Sequence, residues 1–104
     1  MKIIHTVQEL RQQLSSYRKT DKSIGFVPTM GSLHEGHLSL FETAAKENDL
    51  LVVSIYVNPA QFGPGEDLEK YPRELEKDQR KCRESGVDIL FLPDNREIYP
   101  FRLS

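Results

Sequence analysis

The chain has 104 residues, 38% hydrophobic and 29% charged, an ordinary globular balance at a length that can bury a core without staples. Its 14 basic and 16 acidic residues are interspersed and leave a formal net charge of −2, so it lacks the basic stripe that polynucleotide binding needs. A single cysteine, Cys82, excludes an internal disulfide framework and a four-thiolate metal site. No apolar run is long enough to span a membrane and residues 1–6 lack the apolar core of a signal peptide, so no membrane partner and a cytoplasmic location are expected.

Thr6 followed by Glu9 reads as a capping box, and Val7, Leu10, Leu14 and Tyr17 recur on one face, which predicts a helix over 7–19. Residues 23–28 are a short apolar run, and Val27, preceding Pro28, is biased towards extended geometry, so a strand is expected to end at Pro28. Beyond a loop over 29–34, Leu38, Phe41 and Ala45 form a helical stripe within about 36–48. Residues 50–57 are nearly continuously apolar, the signature of a strand buried on both faces of a parallel sheet. Two Pro and two Gly within 58–65 mark a loop after that strand's C-terminal end, where ligands commonly bind. A helix near 73–84, with Pro72 at its start and Gly86 beyond its end, and a strand over 88–93 complete the pattern. Alternating strands and helices imply an α/β class, a parallel sheet flanked by helices, in one domain over 1–93.

The chemistry-bearing stretch lies between the first strand and the second helix: Val27-Pro28-Thr29-Met30-Gly31-Ser32-Leu33-His34-Glu35-Gly36-His37. A helix N-terminus at the C-terminal edge of a parallel sheet suits an anion such as phosphate. Gly31 and Gly36 allow close approach of a ligand to the backbone, and His34 and His37, three apart, place two imidazoles on one side. Imidazole can donate to phosphate oxygens and stabilise a departing pyrophosphate. From spacing alone the pair could also bind a metal or have no role, although no cysteine or third histidine lies nearby to complete a zinc site.

The segment 28–37 resembles the signature of the pantothenate synthetase family, in which His-x-Gly-His is a form of the HIGH motif of a wider nucleotidyltransferase superfamily. A second segment, Ser54-Ile55-Tyr56-Val57-Asn58-Pro59-Ala60-Gln61-Phe62, resembles that family's next signature, and Glu66-Asp67-Leu68, Tyr71-Pro72-Arg73 and Glu97-Ile98-Tyr99-Pro100 resemble its continuation. The resemblance implies a Rossmann-like domain that activates pantoate with Mg2+-bound ATP and then joins it to β-alanine through pantoyl adenylate. It implies ATP binding by Met30, Gly31, Ser32, Leu33, His34, Glu35, Gly36 and His37, with His37 as proton donor and His34 against phosphate. Asn58 and Gln61, with Pro28, Thr29 and Phe62, would form the pantoate and β-alanine pocket. No protein-bound metal site is implied, and a homodimer is expected. Tyr71, Arg73 and Asp88 are read as structural, and Cys82 as a small buried hydrophobe rather than a nucleophile.

Family members run to well over twice this length, with a Ser-Ser-Arg loop and a C-terminal domain that closes over the site. Residues 94–104 are therefore expected to be a truncated or divergent tail, and the chain alone is expected to be inactive. Two other readings stay open at this point: a nucleotide-binding module without catalysis, and another HIGH-type nucleotidyltransferase, which the Asn58-Pro59-x-Gln61-Phe62 segment disfavours.

Overall fold

The computed structural model describes residues 1–56 and 71–93, with side chains from residue 74 onward in the second stretch. Along the chain run β1 (Lys2–Ile4), α1 (Val7–Lys19), β2 (Ile24–Thr29), α2 (Glu35–Glu47), β3 (Leu50–Ile55), α3 (Tyr71–Glu84) and β4 (Ile89–Phe91). Local chemistry sets several of these boundaries. The Thr6 hydroxyl accepts the Glu9 N–H at 3.2 Å, satisfying a donor that the first turn of α1 would otherwise leave unpaired. Gly86, at φ 89°, takes the left-handed conformation that ends α3 and turns the chain into β4.

The described strands form one parallel sheet in the order β1-β4-β3-β2. Successive residues of β3 face opposite sides. Leu50 and Val52 join Ile4, Ile89 and Phe91 on one face, where the Val7, Leu10, Leu14 and Tyr17 stripe of α1 covers them. Leu51, Val53 and Ile55 join Leu90 on the other, under Phe41 and Ala45 of α2 and Leu75 and Cys82 of α3. All six residues of β3 are buried, as a strand sandwiched between helices must be. Pro28 lies in β2, which pairs only with β3 among the described residues, so its missing N–H costs the ladder no bond on the other side.

The α/β class and the three helices agree with the sequence reading. The sheet has one strand more than the periodicity predicts. Lys2–Ile4 is too short to display an alternation, and it becomes a strand because β4 offers it a parallel partner, Ile4 opposite Phe91. The last strand is shorter than the expected 88–93 span, and α3 begins at Tyr71 instead of near residue 73. The tail 94–104 lies outside the described residues. Among the described residues no helix is long and apolar enough to cross a membrane.

Because the strands are parallel, β2 delivers the chain to the sheet's C-terminal edge, and the loop into α2 is built there.

Candidate active site

The β2–α2 loop is fastened at several points. At its start the Thr29 hydroxyl donates to the Ser54 carbonyl at 3.0 Å and accepts the Gly31 N–H at 3.3 Å, tying β2 to β3 where both end. Gly31 (φ 92°) and Ser32 (φ 53°) are left-handed, so the chain reverses and successive N–H groups turn inward. The buried Asp78 carboxylate on α3 meets them: one oxygen accepts the Ser32 N–H and the other the Leu33 N–H, each at 2.9 Å. Lys81, one turn further along α3, donates from Nζ to the Leu33 carbonyl at 2.7 Å. The Leu33 side chain, 3% exposed, is sunk into the core between the helices and the sheet.

His34 then caps α2 from an extended conformation (φ −129°, ψ −177°). Its Nδ1 accepts the Gly36 N–H at 3.1 Å, while Nδ1 of His37 accepts the His34 N–H at 3.2 Å. This is the logic of a capping box with imidazoles in place of a hydroxyl and a carboxylate. An Nδ1 that accepts an N–H cannot itself carry a proton, so the tautomer these two bonds require has its proton on Nε2. The rings lie 4.1 Å apart between centroids, and His37 also stands against Phe41 at 6.4 Å. Desolvation by partial burial and the neighbouring His34 hold the His37 imidazole below its ordinary pKa, with Asp78 pulling the other way. The geometry agrees with that direction, because protonating Nδ1 would set it against the His34 N–H. Nε2 is thus the nitrogen left to donate on each ring, and both rings sit at the positive end of a 13-residue helix.

The other residues singled out from the sequence divide into three groups. Met30, Ser32, Glu35 and Gly36 are exposed around the histidines, Met30 at 67%. A Cβ on Gly36 would come within 2.9 Å of the His34 ring, so glycine is what lets that ring lie over the helix start. Pro28 is exposed and Thr29 half-buried at the end of β2, with the Thr29 proton already committed to Ser54. Asn58, Gln61 and Phe62 lie outside the described residues.

Asp88 is structural: its carboxylate accepts the Leu51 N–H at 2.8 Å. Cys82 is fully buried, and burial, with Asp78 nearby, pushes its thiol up to about 11, which removes it as a nucleophile at neutral pH. Among the described residues no group of three or more His, Cys, Asp or Glu could hold a metal ion. Asp78 and Lys81 were not singled out by the sequence reading.

The family model described as pantoate-beta-alanine ligase matches residues 2–104. The chain belongs to that family. Among relatives of the ligase family, the pantothenate synthetase of an Exiguobacterium species is 55% identical over 104 residues, which is 100% of this chain and 36% of that protein. That of Bacillus licheniformis is 56% identical over 96 residues, 92% of this chain and 33% of the relative. The crystal structure of the Thermus thermophilus pantothenate synthetase superposes with a TM-score of 0.74 at 52% identity, covering 96% of this chain and 34% of that one. The Francisella tularensis pantoate-beta-alanine ligase, solved with beta-gamma ATP and beta-alanine, gives a TM-score of 0.78 at 43% identity, covering 96% of this chain and 38% of that one. The chain thus spans about a third of the ligases it matches, and it shares their Rossmann-like α/β fold.

Proposed function

We propose that the protein carrying this chain is a pantoate–β-alanine ligase, and that the β2–α2 loop and the start of α2 hold the triphosphate of ATP. The observation that carries this reading is the pair of Nδ1-anchored imidazoles at the head of α2, which leaves Nε2 of each ring as its donor. The Francisella relative's complex with an ATP analogue and β-alanine supports the substrate assignment.

In the first step a carboxylate oxygen of pantoate attacks the α-phosphorus of ATP. A P–O bond to the carboxylate forms, the Pα–O–Pβ bond breaks, and pyrophosphate leaves with the electron pair. In the second, the β-alanine amine attacks the acyl carbon, the C–O bond to AMP breaks, and the amine loses a proton. Charge gathers on phosphate oxygens in the first step. Neutral Nε2–H groups on His34 and His37, fixed beforehand by their capping bonds, stabilise that charge without having to reorganise. The helix dipole adds to the same field. His37 in this reading lends a hydrogen bond and keeps its proton. Mg2+ enters with the nucleotide, bound to phosphate oxygens.

Thr29, its proton committed, fixes the loop against β3, while Pro28 supplies an apolar wall for pantoate. Asn58, Gln61 and Phe62 complete the acid pocket through amide and apolar contacts, as the family resemblance implies. The same reading makes the enzyme a cytoplasmic homodimer with small-molecule substrates only.

The decisive assay is exchange of labelled pyrophosphate into ATP by the intact protein, with and without pantoate. We expect exchange to require pantoate and not β-alanine. ATP binding without pantoate-dependent exchange would instead indicate a nucleotide-binding module without catalysis.

A further inference from the structure

We propose that Asp78 and Lys81 are positioning residues for nucleotide binding: together they clamp residues 32–33 from behind and thereby set where the two histidine donors stand. The inference rests on the reading of the β2–α2 loop as the triphosphate site.

Consecutive left-handed residues at Gly31 and Ser32 point the following N–H groups into one concavity, an arrangement that favours an anion. Here the anion is supplied by the protein. Asp78 is 2% exposed and spends one oxygen on each N–H, both at 2.9 Å, so the concavity is filled from the inside. A phosphate is therefore excluded from this concavity and has to find its donors beyond it, on the histidine rings. Lys81 takes the Leu33 carbonyl at 2.7 Å, so the same peptide stretch is gripped by its donors and its acceptor. His34 is the next residue, and its backbone N–H is what holds the His37 ring. A shift of the 32–33 backbone must therefore carry both imidazoles with it.

Packing alone does not require these charges at this place. Leu75 and Cys82 of α3 make its apolar contacts with the core, and Asp78 interrupts that stripe to reach loop backbone, not another side chain. A carboxylate desolvated to this degree is retained only where its oxygens are satisfied, and the loop N–H groups are what satisfy it.

The test uses the intact protein and two substitutions. Asp78→Asn keeps the shape but turns an NH2 group towards one loop N–H. Lys81→Met keeps the stem and removes the donor. We expect Asp78→Asn to raise the KM for ATP in pantoate-dependent pyrophosphate exchange about tenfold to a hundredfold, the usual cost of a lost charge-assisted bond, and Lys81→Met to act in the same direction by a smaller factor. The KM for pantoate should move by less than about twofold. Amide hydrogen exchange at Ser32 and Leu33 should quicken about tenfold or more in Asp78→Asn while Leu51 and Val53 in β3 keep their protection.

Global destabilisation with unchanged ATP affinity, or unchanged exchange at Ser32 and Leu33, would overturn the clamp. Should Asp78→Asn fail to fold, Lys81→Met decides by the same measurements. If the wild-type protein shows no pantoate-dependent exchange, the ligase reading fails by itself, and amide exchange with direct ATP titration still judges the clamp.

Discussion

His37→Ala in the intact protein is expected to lower pantoate-dependent pyrophosphate exchange by about two to four orders of magnitude, the range for removing a preorganised donor to developing charge. Two losses add. The Nε2–H donor disappears, and the His34 N–H loses its acceptor, so the second imidazole is no longer held in place. The fold should survive, because Leu33 and Phe41 still anchor the loop and α2 in the core. His37→Gln separates the two effects: glutamine at this position restores a capping acceptor but cannot place a donor where the ring does. We expect near wild-type stability and a deep activity deficit from it. Exchange within a few-fold of wild type in His37→Ala removes His37 from the chemistry.

The pH dependence should run opposite to that of an imidazolium acid. The His37 pKa is depressed below 6.5 by desolvation and by His34, with Asp78 opposing, so the neutral, Nε2-protonated form is the one present at pH 7. Protonation would force a hydrogen onto Nδ1 and break the bond from His34. Exchange should therefore stay level as pH drops from about 8 through neutrality, then fall below the ordinary imidazole value with a limiting slope of about tenfold per pH unit. A rate that climbs as pH falls from 8 towards 6.5 would mean that the charged ring is the active form.

Much of this site was legible in the sequence because its cues are local. A strand before Pro28, glycines at 31 and 36, and a helical stripe beginning at Leu38 are enough to place a loop and helix start at the C-terminal edge of a parallel sheet. The two rings do lie on one side, 4.1 Å apart, as the spacing implies, but that they also cap the helix start was not legible, since the spacing does not require it. β1 escaped because three residues carry no period, and its pairing with β4 joins residues far apart in the chain. Asp78 and Lys81 escaped for a different reason. Within the run Glu74 to Glu84 charges dominate, and such a run reads as a solvated face. One signal was present: Asp78 falls three residues after Leu75 and four before Cys82, in the line of the buried stripe, where a carboxylate must find donors. Asn58 and Gln61 were given their roles only through the family resemblance, because in a stretch of sequence rich in Pro and Gly nothing else distinguishes them from ordinary polar residues.

The most direct test of the central claim, that two neutral imidazoles at the head of α2 hold the triphosphate, is long-range 1H–15N NMR of the ring nitrogens, run at pH 7 with and without a nonhydrolysable ATP analogue and Mg2+. The account predicts that His34 and His37 both show bare Nδ1 and protonated Nε2, and that the analogue shifts the two Nε2 signals while His5, whose Nδ1 lies against the Leu92 carbonyl, is unaffected. Protonated Nδ1 on His37, or analogue binding that leaves both Nε2 signals in place, would contradict it.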